Sequence, residues 1–429
     1  MKTLRLGICG TGNVGKALLV SLRDSKELFE IQGNVNLEIS MVGVRKGKSS
    51  LPFQELRVSE DIMQVALDDE VDVVVELIGG TETAYELIQK AIENGKDVVT
   101  ANKAMIAKYG NELFQKAKDK GVQVGFEASV AGGTPVIKAL REGLVANKIL
   151  WFAGILNGTS NYILSYMSSS EVTFEEALKS AQSLGLAEAD PTLDIDGTDA
   201  AQKACILASL AFHVPFNFAS VNYDGIENVA LKDLRCAEEL GYSIKHIALG
   251  KIIDEQVSIN AHPMLVSNES ILSKVGQEMN ALEVFAEDVG STVYYGPGAG
   301  PTPTATAVIA DLVDIAKGAL FNVPEVNNKN SLLTEPTEST SRYFRIEVSN
   351  EPGVIAKISS IFARKQISID SLIQHDSKSE IIINNGLVSV VIIAGSMDDA
   401  SSVEISSALA KMEEVHHNIK NFRILSLSE

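Results

Sequence analysis

One short stretch of the sequence, residues 184–203, collects most of the side chains that could do chemistry. It contains Glu188, Asp190, Asp194, Asp196, Asp199 and Lys203. A proline and a glycine should keep its first part out of regular helix, whereas the apolar residues from Thr198 onward predict a buried helix. Asp199 and Lys203 would then share one helix face. The pattern suits a site for a cationic ligand with a lysine as charge partner or proton carrier. A solvated acidic loop with a surface ion pair explains the stretch alone equally well.

The composition is that of a globular protein with a full core. The chain has 429 residues, 45% of them hydrophobic and 22% charged, which is enough for two or three domains. A net charge of −19 argues against binding of nucleic acid, but it permits a local basic site for a small anionic cofactor. The 3 cysteines form no CxxC pair, which favours a reducing compartment. Because we find neither a secretory signal nor an apolar run of membrane-spanning length, we expect a soluble cytoplasmic protein.

A glycine-rich turn follows the first predicted strand and precedes a predicted helix. The turn consists of Gly10, Thr11, Gly12, Asn13, Val14 and Gly15. In this GxGxxG context the first glycine permits the turn, the second admits a pyrophosphate and the third lets the helix pack on the strand. We therefore predict a dinucleotide site. The alternative is a glycine-rich turn without a ligand.

Basic residues follow the second predicted strand, residues 37–44. Folds that prefer NAD usually have an acidic residue there, which binds the ribose hydroxyls. This chain has Arg45, Lys46 and Lys48 instead, and cations suit a 2′-phosphate. The prediction is NADP(H), with use of NAD(H) left open. A solvated basic turn is the alternative.

Strands and helices alternate over residues 1–130, ending with a strand expected at residues 122–130, which predicts a doubly wound parallel sheet of the Rossmann type. Lys103 comes directly after a strand, and ligands in such sheets gather at the carboxyl ends of strands. Lys103 should therefore point toward the cofactor crevice. Residues 131–300 mix strands and helices and predict a second, α+β domain. The helix expected at about 301–320 follows a turn ending at Gly300 and should return to the first domain, with that turn near the cofactor.

The C-terminal part is predicted to be a separate unit. Residues 322–341 are polar and contain spaced prolines, as in a linker. Residues 342–429 have the order strand, helix, strand, strand, helix, strand. That βαββαβ order is typical of a ferredoxin-like domain.

A possible cation site lies where the first two domains join. Glu127 is followed by the backbone carbonyls of Val130, Gly132 and Thr134, and these oxygens could ring a cation. From the residues alone, an ordinary strand-to-helix loop is the favoured interpretation.

Several motifs together resemble the homoserine dehydrogenase family. They are the GxGxxG turn, TANK at 100–103, FEASVAGGTP at 126–135, ILNGTSNY at 155–162 and AQSLGLAEADPTLDIDGTDAAQK at 181–203. The likeness covers roughly residues 1–322. The tail, in which Asn350 to Gly353 open a helix, is similar to an ACT domain, a small regulatory module. We expect the monofunctional form, without an aspartate kinase segment.

The resemblance implies an activity, namely reversible NAD(P)H-dependent reduction of L-aspartate 4-semialdehyde to L-homoserine in threonine, methionine and isoleucine biosynthesis. It also implies roles for individual residues. Lys103 and Lys203 match the paired catalytic lysines of the family. The matching substrate-site residues are Glu188, Asp194 and Asp199, to which we add Asn157, Gly158 and Thr159. The set of Glu127, Val130, Gly132 and Thr134 matches a monovalent cation site for Na⁺ or K⁺. A homodimer or homotetramer is implied, and threonine is the expected effector of the ACT domain.

The chemistry of aldehyde reduction fits these residues. Hydride addition leaves a developing alkoxide, which needs a cation and a proton donor. Lysine can be both if its pKa is lowered from about 10.4 toward neutrality. We assign Lys203 as the proton carrier, with Asp199 beside it, and Lys103 as the group that polarises the oxygen. The acids, Glu188 first, would hold the substrate's ammonium group. Neither a cysteine nucleophile nor a catalytic metal is required.

Two alternatives to this function stay open at this point. One is another NADP-dependent oxidoreductase that acts on an amino-acid-like substrate. The other is a dinucleotide-sensing regulatory protein that uses the same fold. The second alternative would be expected to lack Lys103 or Lys203, and the sequence contains both.

Overall fold

The computed structural model describes residues 1–45, 51, 55–319, 330–333, 339–374 and 387–427. Lys46 and Lys48 of the predicted 2′-phosphate site lie outside the described residues, as does most of the predicted linker.

The N-terminal part forms a parallel sheet with the strand order β3-β2-β1-β4-β5-β6. Its strands are β1 Lys2–Cys9, β2 Val35–Gly43, β3 Val58–Ser59, β4 Val73–Glu76, β5 Asp97–Thr100 and β6 Val124–Gly125. Its helices are α1 Asn13–Asp24, α2 Lys26–Gly33, α3 Ile62–Leu67, α4 Glu82–Glu93 and α5 Lys103–Lys120. The central strands are runs of buried valine, isoleucine and leucine, as expected for strands covered by helices on both faces. The order reverses between β1 and β4, where this fold binds dinucleotides. The predicted Rossmann sheet is therefore confirmed.

The strand expected over residues 122–130 is much shorter than predicted. Only β6 pairs with β5, and Glu127–Ser129 form a 3₁₀ turn. The chain turns there because the Glu127 N–H donates to the side chain of Asp311 over 2.9 Å, instead of to a neighbouring strand.

The second part is an α+β unit, as predicted. Its strands are β7 Ile149–Ile155, β8 Asn222–Tyr223, β9 Tyr242–Ile253, β10 Gln256–Ser267, β11 Met279–Ala286 and β12 Gly290–Pro297. Its helices are α6 Val136–Lys138, α7 Gly158–Ser170, α8 Phe174–Ser183, α9 Thr192–Ile195, α10 Thr198–Phe212 and α11 Leu231–Glu239. The long strands follow the order β12-β11-β7-β9-β10 and pair antiparallel.

Helix α10 joins the first two parts. It begins after Gly197, whose φ of +88° lies in the left-handed region, and almost all of its residues are buried. It packs on β9 and β10 with one side and on α5 with another. The start of α5, where Lys103 lies, is thereby held next to the helix that carries Lys203. A further helix, α12 Pro301–Lys317, packs against α1 and β1.

The C-terminal part has the predicted ferredoxin-like order. Its elements are β14 Thr340–Ser349, α13 Val354–Arg364, β15 Ile369–Gln374, β16 Leu387–Met397, α14 Asp399–Ala410 and β17 Val415–Ile424. The strands pair antiparallel in the order β17-β14-β16-β15. Its core lies between this sheet and α13, where Phe344 meets Phe362 edge-on.

The tail has its own core but also pairs with the second part of the chain. Strand β17 pairs in parallel with β10, with Met264 opposite Arg423 and Leu265 opposite Ile424, so the two sheets are continuous. A short strand, β13 Ser331–Leu332, lies within the segment interpreted as a linker and also pairs with β10. The edge of β10 offers unpaired backbone groups, and these are satisfied by β8 and by the later strands β13 and β17.

None of the helices in the described residues combines the length and the apolar character needed to cross a bilayer.

Candidate active site

The Asp199 carboxylate lies between two lysines. The Lys203 Nζ is 2.7 Å from Asp199 Oδ2, and the Lys103 Nζ is 3.1 Å from Asp199 Oδ1. The side chains of Asp199 and Lys203 are 8% and 10% exposed, whereas that of Lys103 is 34% exposed. The ammonium group of Lys203 is therefore buried, whereas that of Lys103 reaches the solvent-accessible crevice.

Local structure explains how the two lysines come to face each other. Lys103 is the first residue of α5, directly after Asn102, whose side chain caps the helix by accepting the Met105 N–H over 3.1 Å. The Asn102 amide also donates to the Gly80 carbonyl over 2.6 Å, which ties this helix start to the loop after β4. Lys203 lies one turn into α10.

The electrostatics of the cluster favour an ionised carboxylate. Burial alone would raise the pKa of Asp199, but the charges of Lys203 and Lys103 outweigh it and hold this pKa well below its usual range. The charge of Asp199 raises the pKa of Lys103, although burial acts in the opposite direction. Lys103 is therefore an ammonium group at neutral pH.

Asn157 connects the acidic loop to this cluster. Its side-chain amide donates to Asp199 Oδ2 over 2.8 Å and to Asp194 Oδ1 over 2.7 Å. Burial and then the nearby charge of Asp199 raise the pKa of Asp194. The Asn157 side-chain oxygen caps α7 by accepting the Ser160 N–H over 2.7 Å. One buried asparagine therefore fixes both a helix start and two carboxylates.

The remaining predicted substrate residues lie at the start of α7 and in the loop before α9. Gly158 and Thr159 open α7, so their N–H groups belong to the first turn of a helix and have no acceptor within it. The Thr159 hydroxyl donates to the Leu186 carbonyl over 2.7 Å. Glu188 is exposed, and its charge contributes to the raised pKa of Lys103. Asp190 is exposed as well and bonds to Thr192 of its own loop.

The glycine turn has the geometry that a pyrophosphate requires. Gly10 has a φ of +109°, which favours glycine. A Cβ at Gly15 would lie 2.0 Å from the Gly10 carbonyl oxygen, so only glycine allows α1 to approach β1. A Cβ at Gly12 would meet no described residue, so that face of the turn is open to a ligand. The first turn of α1 provides backbone N–H groups for an anion.

The other predicted cofactor residues belong to other segments of the chain. Arg45 follows β2 and is exposed. Gly300, with a φ of +111°, precedes α12, the helix that packs on α1. The structure thus brings the glycine turn and Lys103 to the same edge of the sheet, whereas Lys46 lies outside the described residues.

A buried glutamate in the crevice was missed by sequence reasoning. Glu76 ends β4, is fully buried, and accepts the N–H groups of Ile78 and Gly79 as well as the Thr100 hydroxyl over 2.6 Å. Burial raises its pKa. It shapes the loop that packs on Gly10. Its position at the carboxyl end of a central strand was the available signal.

The predicted cation loop contains buried polar side chains, among them Glu127 and Thr134. Glu127 is buried, and it accepts the N–H groups of Ile137 and Lys138 over 3.0 and 2.8 Å. Burial raises its pKa to about 7 against these bonds. The Thr134 hydroxyl is buried without a hydrogen-bond partner among the described residues. Val130 is buried in the same loop, and Gly132 has a φ of +31°.

Two carboxyl groups are buried next to each other at this loop. The second buried carboxyl, Asp311, adjoins Glu127, and burial together with the charge of Glu127 raises its pKa well above the usual value. No set of three or more histidine, cysteine, aspartate or glutamate side chains in the described residues could hold a metal ion. An ion here would therefore depend on backbone carbonyls together with Glu127.

A dinucleotide fold with two ammonium groups around one carboxylate at its crevice is suited to reducing a carbonyl group. These features define an NAD(P)-dependent oxidoreductase. Three family models match the chain in succession: the NAD-binding domain of homoserine dehydrogenase over residues 10–127, homoserine dehydrogenase over 135–313 and the ACT domain over 342–405. The chain belongs to the homoserine dehydrogenase family.

Individual relatives agree with this assignment. The chain is 40% identical to homoserine dehydrogenase of Pseudomonas aeruginosa over 438 residues, covering 100% of both chains. It is similar to the crystal structure of a homoserine dehydrogenase from Thiobacillus denitrificans, with a TM-score of 0.90, 38% identity and coverage of 100% of this chain and 99% of that one. A hyperthermophilic archaeal homoserine dehydrogenase in complex with NADPH matches with a TM-score of 0.63 and 26% identity, over 76% of this chain and 100% of that one.

Proposed function

We propose that this protein catalyses the reversible NAD(P)H-dependent reduction of L-aspartate 4-semialdehyde to L-homoserine. The observation that carries the proposal is the Asp199 carboxylate shared by two lysines, at 2.7 and 3.1 Å, beside the crevice of a dinucleotide fold. The family assignment supplies the identity of the substrate, which the geometry alone does not specify.

The two lysines have different tasks in this proposal. Reduced nicotinamide, when bound, supplies a hydride to the aldehyde carbon. Lys103 polarises the carbonyl oxygen, because Asp199 keeps it charged and it reaches into the crevice. Lys203 gives a proton from Nζ to the oxygen as the C–O double bond becomes a single bond, and in homoserine oxidation it takes that proton back. Asp199 aligns both ammonium groups.

The acidic loop binds the amino-acid part of the substrate. Glu188 and Asp194 offer carboxylates to the substrate's ammonium group, and Asn157 fixes the orientation of Asp194. The N–H groups of Gly158 and Thr159 in the first turn of α7 suit the substrate's carboxylate. Because all of these groups belong to the second domain, hydride transfer requires the two domains to meet across the crevice.

The cofactor in this proposal is NADP(H), with NAD(H) as a second possibility. The turn from Gly10 to Gly15 holds the pyrophosphate, and Gly300, which precedes the helix that packs on α1, is a further cofactor residue in this proposal. Arg45 and Lys46 bind the 2′-phosphate, for which an exposed cation after β2 is the supporting observation.

We also propose a monovalent cation, Na⁺ or K⁺, at Glu127 and the carbonyls of Val130, Gly132 and Thr134. The buried carboxyl pair of Glu127 and Asp311 supports it. An ion that binds the folded protein raises its melting temperature by mass action. NaCl or KCl should therefore stabilise the protein more than tetramethylammonium chloride at equal ionic strength. The difference should vanish in Glu127→Gln, and an equal response to all three salts would contradict the site.

The remaining assignments concern regulation and assembly. The ACT domain (residues 342–429) binds an amino-acid effector, threonine, because threonine is an end product of the pathway. The chain forms a homodimer or homotetramer in the cytoplasm through its second domain (residues 131–300). Residues 1–130 and the helix at about 301–320 make the nucleotide domain. Calorimetry of the full chain with threonine and light scattering of the eluted protein test the first two assignments.

One assay tests the central function. Purified protein is mixed with L-homoserine and NADP⁺, and NADPH formation is followed by its absorbance. Steady production that depends on homoserine is expected. If other amino-acid-like alcohols or aldehydes react and homoserine does not, the chain is instead another NADP-dependent oxidoreductase.

A further inference from the structure

Asn280 lies on β11, directly behind the lysine that we assign as proton carrier. Only 1% of its surface is exposed. Its side-chain amide donates to the Leu156 carbonyl over 3.0 Å, and the Lys203 ammonium donates to the same oxygen over 2.6 Å. A carbonyl oxygen has two lone pairs, so it can accept both bonds at once.

The Leu156 carbonyl belongs to the peptide unit that continues into Asn157. Because a peptide unit is planar, the bond from Asn280 orients this oxygen and the start of Asn157 together. The Asn157 side chain in turn donates to Asp199 over 2.8 Å. The peptide unit between Leu156 and Asn157, oriented by Asn280, therefore contacts Lys203 directly. It is also linked to Asp199 through the Asn157 side chain.

The glycine turn before α12 encloses Asn280 from the other side. A Cβ at Gly298 would lie 1.9 Å from Asn280 Nδ2, so the amide packs directly on the backbone of this turn. The side-chain oxygen of Asn280 is buried without a hydrogen-bond partner among the described residues. Burying a half-satisfied amide is costly. The hydrogen bond to the Leu156 carbonyl partly offsets the free energy lost by burying this amide.

We propose that Asn280 is a positioning residue for proton transfer, which aims Lys203 at the substrate oxygen through the Leu156 carbonyl. The proposal rests on the function proposed above and on the assignment of Lys203. Asn280 itself touches neither the substrate nor the cofactor in this account. The backbone at Gly298 keeps the Asn280 amide from rotating away. A side chain at Gly298 would collide with that amide.

The test compares Asn280→Ala with the wild-type enzyme in the direction of semialdehyde reduction. We expect kcat to fall about tenfold, the cost of a misplaced proton donor, while the KM for NADPH stays near the wild-type value. Proton transfer should become slower relative to hydride transfer. The solvent deuterium isotope effect on kcat should therefore rise, and the effect of NADPH deuterated at the transferred position should shrink.

Asn161→Ala is the matched control. Asn161 is buried close by and donates to the Val275 and Met279 carbonyls, but it does not bond to Leu156. The Asn161→Ala substitution should lower the melting temperature and leave both isotope effects unchanged. A fall in kcat for Asn280→Ala with wild-type isotope effects, or an unchanged kcat, would overturn the proposal.

A second variant covers the case in which Asn280→Ala does not fold. Gly298→Ala keeps the asparagine but pushes on its amide, and it should show the same rise in the solvent isotope effect. Wild-type isotope effects in Gly298→Ala would overturn the proposal independently. If the wild-type protein itself does not oxidise homoserine, the proposed function fails. If the wild type is active and only the isotope effects are unaltered, the inference about Asn280 alone fails.

Discussion

The Lys203 ammonium lies 2.7 Å from Asp199 Oδ2, one helical turn earlier in α10, and both side chains are buried. An exposed pair at this spacing would contribute little to stability, but a buried charge left without its partner is costly. The acidic stretch therefore divides into two parts. Glu188 and Asp190 are exposed, as a solvated loop would be, whereas Asp199 and Lys203 belong to the buried cluster.

The first prediction concerns Lys103. Lys103→Met removes the ammonium group that reaches the crevice, so it should lower kcat about a hundredfold or more and raise the KM for aspartate semialdehyde. Steady-state kinetics provide the measurement. Lys108→Met on the same helix is the control, because Lys108 pairs with Glu82 at the surface. Equal effects of the two substitutions would argue that Lys103 acts only through net charge.

The second prediction concerns the choice of cofactor. Arg45→Ala should weaken NADPH binding about tenfold and leave NADH binding nearly unchanged, because only NADPH carries the 2′-phosphate. Fluorescence titration of each reduced cofactor measures this. Lys26→Ala removes an exposed cation elsewhere in the same domain and should affect neither. Parallel losses for NADPH and NADH would refute the assignment of Arg45.

The third prediction concerns the contact between the tail and the second domain. Arg345 of β14 donates to both oxygens of Asp233 in α11, over 2.6 and 3.2 Å, and both side chains are buried. Arg345→Met leaves Asp233 buried without its cation and should lower the free energy of unfolding by about 3 kcal/mol or more. Lys365→Met, at an exposed pair with Glu404, is the control and should have almost no effect.

Denaturant unfolding of both variants, monitored by circular dichroism, measures the difference. If the tail were independent of the second domain, Arg345→Met would alter only one of two separate transitions. A variant as stable as the wild type would show that the Arg345–Asp233 pair contributes nothing net.

The fourth prediction is a pH dependence at His262. Burial lowers its pKa to about 4, although the bond to Asp224 acts in the opposite direction, and the charge of Arg423 lowers the pKa further. An unfolded histidine titrates near 6.5, so the unfolded chain binds more protons between these values and stability falls as the pH falls. The titration of His262 alone should lower the free energy of unfolding by roughly 2 kcal/mol between pH 7.5 and pH 5.

The check is the free energy of unfolding at both pH values for the wild type and His262→Gln. The loss on acidification should be smaller in the variant by about that amount. Burial lowers the pKa of His213 as well, by less than that of His262, so His213→Gln should reduce the loss by a smaller amount. An undiminished loss in His262→Gln would assign the acid sensitivity to other groups.

Much of the fold followed from local patterns. The glycines at 10, 12 and 15 stand between a strand and a helix in the sequence, so this short stretch alone predicts the strand, the turn and the helix. The buried helix with Asp199 and Lys203 is also visible locally. The βαββαβ order of the tail is preserved element by element, because each element has its own periodicity.

What could not be predicted depends on contacts between distant parts of the chain. The strand expected around Glu127 ends early because its N–H group bonds to Asp311, 184 residues later. The pairing of β17 with β10 depends on an open sheet edge, which has no sequence signature. Asn280 stands alone in a strand without a motif, and its importance arises from a carbonyl 124 residues earlier.

The most direct test of the account is the turnover of Lys203→Ala. In this variant kcat for homoserine oxidation should fall about a thousandfold, because the proton carrier is lost, while the Kd for NADPH stays close to that of the wild type. A kcat near the wild-type value in a correctly folded variant would contradict it.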